Sequence, residues 1–289
     1  MAAILVTGAR GNVGTEVVAA CREYGLAVRA AHHAASAEAD SVRFDFREPT
    51  TWPTALQGCD RVFLLRPPPI GDMQATLIPF IDVAYAAGVQ HIVFLSVAGA
   101  DRRSWVPHRK VELHLEKLGT AWTILRPGFF AQNLADAYRA DIVEDHRLYV
   151  PAGDGKIAFL DVRDVGAVTA KLFSGDEFRG KALTLTGPAA ITFTEVARIL
   201  TEVLGMSIRY ETASVLGYVR HLRRRGLSWT QVIVQTILHT GLRKGDAEVV
   251  EPTIQQILGR PPTSVREYVG RAAATWTSDG MRRHSGSAP

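Results

Sequence analysis

Thr7-Gly8-Ala9-Arg10-Gly11-Asn12-Val13-Gly14 decides the fold. The stretch is a G-x-x-G-x-x-G. It follows a short apolar run, Ala3–Val6, and opens a segment, Val13–Tyr24, whose apolar residues Val13, Val17, Val18 and Cys21 recur at helical spacing. Strand, glycine turn and helix in that order are the context a dinucleotide fingerprint requires. Gly8 permits the tight turn. Gly11 lets backbone N–H groups approach a pyrophosphate at the positive end of the helix, and Gly14 lets the helix pack close to the strand. Ala9, Arg10, Asn12 and Val13 complete the loop and are expected to share the nucleotide contact. The competing reading is an ordinary glycine-rich strand–helix turn.

The rest of the first half repeats the alternation. Leu26–Ala31, Val42–Phe44, Arg61–Leu65, Ile92–Leu95 and Trp122–Leu125 read as strands, and Thr51–Leu56, Met73–Ala87 and His108–Leu118 as helices. Such alternation implies an α/β fold, a Rossmann-type doubly wound parallel sheet with helices on both faces. The strands are predominantly apolar, as a sheet covered on both sides demands. The pattern changes near residue 135, where Asp136–Glu144 looks helical. Asp164 is a candidate N-cap, Ala182–Thr186 is a further strand, and Thr192/Glu195 and Ser264/Glu267 have capping-box spacing. Beyond Thr212 the pattern is mostly helical. The expected division is a nucleotide-binding domain over 1–150, with strand 182–186 returning to it. A smaller, mostly helical substrate lobe over 151–276 and a flexible tail over 277–289 follow.

Composition narrows the class. The 289 residues are 47% hydrophobic and 21% charged, enough to bury a core and too apolar for disorder. No apolar run approaches the ~18 residues of a membrane span, and the N-terminus enters a strand pattern without a basic n-region. Cys21 and Cys59 alone cannot build a disulfide framework, and the nine histidines lack metal-ligand spacing, so no metal is expected. These features lead us to expect a soluble cytoplasmic protein with no membrane partner. Residues 217–245 hold six cations and no acid against a whole-chain charge of +4, leaving the remainder at −2. The bland explanation is a solvated helix end. Nucleic-acid binding would need a broader basic stripe and a recognisable module, and neither is present.

An NAD site usually carries an acid at the end of the second strand. Here the stretch is Val28-Arg29-Ala30-Ala31-His32-His33. Arg10 and His33 could face a 2′-phosphate, which points to NADP(H) over NAD(H). His32 reads as a solvated polar residue away from the nucleotide.

With these elements in hand, the chain resembles the NmrA-like family of atypical short-chain dehydrogenases over roughly residues 3–276. The glycine loop, Val93-Phe94-Leu95-Ser96, His108-Arg109-Lys110-Val111-Glu112, Trp122 through Phe130, Asn133 and Leu258-Gly259-Arg260-Pro261-Pro262 carry the likeness. The resemblance implies that Asp45 and Phe46 contact adenine and that Leu65, Arg66 and Pro67 lie beside the cofactor ribose. It also implies cofactor contacts at Ser96, Pro127 and Gly128. The chain departs from ordinary short-chain dehydrogenases in lacking their Tyr-x-x-x-Lys pair. His108 stands where related proteins hold Lys or His near the nicotinamide. Two roles stay open for it: proton donor, since imidazole titrates near neutrality, or a helix residue that only hydrogen-bonds ribose or water. Phe130 and Asn133 are expected to face the acceptor, by stacking and by hydrogen bonding, with Trp105 a further candidate. The activity implied is hydride transfer from NAD(P)H to a small quinone-like or conjugated carbonyl acceptor. The alternative, since the family holds both kinds, is a non-catalytic NADP(H)-binding redox sensor acting through a protein partner; under either reading a monomer or homodimer is expected.

Overall fold

The structure is a computed structural model that describes residues 2–34, 38–67, 70–119 and 121–277. Apart from Thr277, the expected tail lies outside the described residues, as do Pro68 and Pro69. The strands are β1 (Ala3–Val6), β2 (Val28–His32), β3 (Ser41–Arg43), β4 (Cys59–Leu65), β5 (His91–Leu95), β6 (Trp122–Pro127), β7 (Arg147–Val150), β8 (Lys156–Ile157), β9 (Lys181–Leu185), β10 (Ile191–Thr192) and β11 (Arg209–Thr212). The helices are α1 (Asn12–Glu23), α2 (Trp52–Leu56), α3 (Leu77–Ala86), α4 (Pro107–Glu116), α5 (Arg139–Glu144), α6 (Val162–Phe173), α7 (Phe193–Leu204), α8 (Val215–Arg224), α9 (Trp229–Leu242), α10 (Thr253–Leu258) and α11 (Val265–Ala272).

The chain divides into two compact units. The first comprises 1–127, 162–185 and 253–261, and the second 128–161, 186–252 and 262–289. A seven-stranded, all-parallel sheet of order β3-β2-β1-β4-β5-β6-β9 forms the first unit, the doubly wound fold expected. β9 pairs with β6 through Thr123↔Lys181 to Pro127↔Leu185, so the strand expected near 182–186 does return to the sheet. On one face the rings of Phe44, Phe46, Trp52 and Phe80 pack edge-on at 4.7–5.6 Å. On the other, α6 lies against α1.

The division differs from a single cut after residue 150. The chain leaves the first unit at Pro127 and comes back twice. Arg260 shows what holds the second return: its guanidinium lies 2.8 Å from the fully buried carboxylate of Asp164. Asp164 is therefore an ion-pair partner in the first turn of α6, not its N-cap. Helix α3 starts four residues later than its apolar pattern suggests. The Asp72 carboxylate accepts the N–H groups of Gln74 and Ala75, at 3.0 and 3.1 Å, and holds that stretch in a turn.

The second unit has its own core, built around Leu148, Phe159, Phe193, Leu200, Tyr218, Val269 and Trp276. Its helices include the capping boxes of Thr192 with Glu195 and Ser264 with Glu267, as spaced in the sequence. Two small pairs, β7 with β11 and β8 with β10, were not visible in the pattern because two to four residues carry too little periodicity.

Candidate functional site

The first unit gathers most of the expected nucleotide residues at the carboxyl ends of its strands. Gly8 takes a left-handed φ of +65°, which lets the loop turn sharply out of β1. A Cβ on Gly14 would stand 2.1 Å from the Gly8 carbonyl oxygen, so only glycine lets α1 approach β1 this closely. Thr7 latches the loop to β4: its hydroxyl donates to the Phe63 carbonyl at 3.0 Å and accepts from the Leu65 N–H at 2.8 Å. Arg10, Gly11 and Asn12 are exposed on the crest, whereas Ala9 and Val13 are buried beneath it. No side chain caps the amides of α1, and its first turn holds no acid. That end is electrostatically open to an anion.

At the end of β2, His33 is exposed, with Nε2 3.5 Å from the Asp45 carboxylate. Asp45 also accepts the Arg47 N–H at 2.8 Å. Phe46 belongs to the aromatic core, so its ring is spent on packing and only its backbone can serve a nucleotide. His32 corrects the sequence reading. It is 7% exposed, not solvated, and neither ring nitrogen has a hydrogen-bond partner. Burial, and then the charge of Arg10, hold it neutral by lowering its pKa.

At the ends of β4, β5 and β6 the structure builds a polar cluster that the sequence did not announce. The Glu112 carboxylate on α4 is fully buried. It accepts from Arg126 at 3.0 and 2.8 Å, from the Ser96 hydroxyl at 2.6 Å and from Arg109 at 3.0 Å. Burial alone would raise the pKa of Glu112, but the hydrogen bonds from Arg126 and Ser96 and the nearby guanidinium charges outweigh it and hold the pKa below the ordinary value. The Ser96 hydroxyl is thus spent on Glu112. The signal was the reach of Glu112 from one helix to Arg126 on a distant strand, which no local spacing encodes. Arg109 also binds Glu116, and Lys110 is exposed.

His108 sits on the same helix, also buried. Arg66 donates from Nε to its Nε2 at 3.3 Å and from a terminal nitrogen to the Ile70 carbonyl at 2.5 Å. Burial, followed by the Arg66 charge, pushes His108 down to about 4. The imidazole is therefore neutral near pH 7. With Nε2 accepting, its proton lies on Nδ1, which has no partner. A buried N–H donor without a protein partner is costly unless water or a ligand accepts from it. The cationic proton donor left open by the sequence does not fit this ring. Pro127 ends β6, where its carbonyl accepts the Ala98 N–H at 3.0 Å. Trp105 is 75% exposed on the loop ahead of α4.

The remaining expected residues lie in the second unit, which starts at Gly128. Phe130 and Asn133 are half-buried there, and Phe130 bridges to Leu160. Phe129 packs edge-on against Phe159, the core role its position suggests. The basic segment is less solvated than expected. Arg225 is paired with Asp141, Glu144 and Asp145, and Arg223 lies over the Trp229 ring. Among the described residues, no group of three potential metal ligands occurs.

Comparison with known proteins follows the same lines. The chain is 30% identical over 275 residues to prestalk A differentiation protein A of Dictyostelium discoideum, covering 92% of this chain and 90% of that one. It is 32% identical over 288 residues to an NAD(P)H azoreductase of Xenophilus azovorans, covering 94% and 99%. Among solved structures it resembles the NADPH-dependent quinone oxidoreductase of Escherichia coli in complex with NADPH. The TM-score is 0.83 at 26% identity, over 93% of this chain and 99% of that one. The azoreductase and the quinone oxidoreductase are oxidoreductases, and this chain is an oxidoreductase. The NmrA-like family model matches residues 1–269, and the chain belongs to that family.

Proposed function

We propose that the protein is an NAD(P)H-dependent oxidoreductase that reduces a small quinone-like or conjugated carbonyl acceptor, with NADP(H) preferred. The observation that carries the cofactor reading is the uncapped, acid-free N-terminus of α1 beneath the glycine loop. The two buried histidines with orphaned ring nitrogens, His32 at the end of β2 and His108 on α4, add unsatisfied polar groups that a nucleotide would satisfy. The residues present therefore fit such a cofactor.

In this reading the amides of residues 8–14 hold the pyrophosphate, and Arg10 and His33 meet the 2′-phosphate. Asp45 and the Phe46 backbone bound the adenine side. Leu65, Arg66 and Pro67 border the ribose, together with the backbone of Ser96 and of Pro127-Gly128. When bound, the nicotinamide supplies the hydride. His108 keeps a neutral Nδ1–H and donates a hydrogen bond to a ribose or acceptor oxygen. It orients that oxygen without giving up a charged proton. Glu112, through Arg126 and Ser96, fixes the ends of β5 and β6. The family resemblance alone assigns Phe130 and Asn133 to the acceptor, for which an aromatic ring and a polar amide are suited. A reduced quinone takes its protons from water, so the chemistry does not require the missing Tyr/Lys pair.

The test measures NADPH oxidation with quinones, enones and azo compounds, alongside NADPH binding by calorimetry. Quinone- or enone-dependent turnover is expected. In His108→Ala, kcat should fall more than NADPH affinity, and wild-type kcat should show no ionisation between about pH 5.5 and 7.5. Tight NADPH binding with no turnover on any acceptor overturns the proposal in favour of a sensor.

A further inference from the structure

Helix α9 is apolar on its outer face as well as its inner one. Its inward side carries Val232, His239 and Leu242, while Ile233, Val234, Ile237 and Leu238 point outward, each 50–61% exposed. These four are spaced i, i+1, i+4 and i+5, one face of a helix. Trp229 at its start is 60% exposed. The inward His239 is buried against Tyr138 and Tyr218, so the helix cannot roll its apolar face inward without stranding that imidazole.

Helix α8 packs against α9 and supplies charge. Leu216, Arg220, Arg223 and Arg224 share one exposed face at i, i+4, i+7 and i+8. The Arg223 guanidinium lies 4.7 Å over the Trp229 ring, which joins the cations to the apolar face. Arg243 and Lys244, also exposed, follow the other end of α9, and no acid occurs over 217–245.

An apolar face edged by cations with a tryptophan at its border has the chemistry of a helix lying in a lipid–water interface. No described helix is long and apolar enough to cross a membrane, so the contact is peripheral. Self-association through this face would bring two such cation sets together, whereas an anionic headgroup layer neutralises them. We propose that the outward faces of α8 and α9 dock on an anionic lipid bilayer. This inference does not depend on which acceptor the site reduces.

The test is co-sedimentation of the whole protein with phosphatidylcholine vesicles containing about 30% phosphatidylglycerol. We expect binding that weakens at least tenfold as NaCl rises from about 0.05 to about 0.5 M. Ile233→Glu/Ile237→Glu should abolish it, and Arg220→Gln/Arg224→Gln should weaken it several-fold. Both variants should keep wild-type NADPH affinity and melting temperature, because these side chains face solvent. Binding to pure phosphatidylcholine that equals the anionic case, or protein that stays in the supernatant with both, overturns the proposal. A dimer in light scattering that Ile233→Glu/Ile237→Glu converts to monomer, without vesicle binding, assigns the face to a second copy instead.

Discussion

Gly14→Ala tests the nucleotide loop most directly. The new Cβ would meet the Gly8 carbonyl oxygen at 2.1 Å, the Gly8 carbonyl carbon at 2.7 Å and the Ala9 Cα at 2.9 Å. A carbon and an oxygen rest at about 3.3 Å, so loop and helix must separate by about 1.2 Å. All three neighbours are backbone, so no side chain can swing away. Overpacking of this kind costs about 1–3 kcal/mol, which at about 2–4 °C per kcal/mol lowers the melting temperature by about 2–12 °C. Amides displaced by about 1 Å lose one or two charge-assisted hydrogen bonds to phosphate, weakening NADPH binding by about ten- to a hundredfold. Gly11→Ala separates the two effects. Its Cβ would lie 3.4 Å from the Gly8 oxygen, an ordinary contact, so stability should hold while affinity falls. Gly270→Ala in α11, with nothing within 4 Å, is the control and should leave both unchanged or slightly raise stability. Calorimetric affinities and thermal melts measure all three. Wild-type NADPH affinity and melting temperature in Gly14→Ala would refute the close-approach reasoning and the site built on it.

Other outcomes follow from the same structure. Arg10→Ala should weaken NADPH more than NADH in parallel titrations, and equal losses would remove Arg10 from the 2′-phosphate. Glu112→Gln removes the buried charge and leaves the Asp101 carboxylate, 3.4 Å away and partly exposed, as the remaining ion pair of Arg126, so urea unfolding should show a loss of about 3 kcal/mol, and an unchanged midpoint contradicts it. His91, His108 and His239 are each pushed to about 4 by burial, below the ordinary value of 6.5. The unfolded chain binds more protons at these sites, so their contribution is complete above about pH 6.5 and is lost as pH falls toward 4. The melting temperature should therefore drop between about pH 6.5 and 4.5, above the range where carboxylates titrate, and a flat profile there would show these rings to be more solvated than the structure has them.

Local chemistry made much of the fold legible. The glycine loop announced itself because a strand, a φ-positive turn and a helix N-terminus fall within fourteen residues. Capping boxes such as Thr192/Glu195 read correctly for the same reason: donor and acceptor are three residues apart. The candidate site was legible only where its residues flank such turns, as at Gly8–Gly14 and Leu65–Pro67. His32 was misjudged because alternation along a strand sends neighbours to opposite faces, and it is His33 beside it that is exposed. Which one is buried depends on what covers the sheet.

The sequence by itself determined the parallel sheet, the position of the glycine loop between β1 and α1 and the family, all written in short-range spacing and apolar runs. Only the tertiary structure decided how the chain divides, because Pro127, Asp164 and Arg260 are brought to one unit from three distant stretches. It also decided the protonation of His108 and the buried union of Ser96, Glu112 and Arg126. Those depend on burial and on partners 14 to 42 residues away, and desolvation acts through space rather than along the chain.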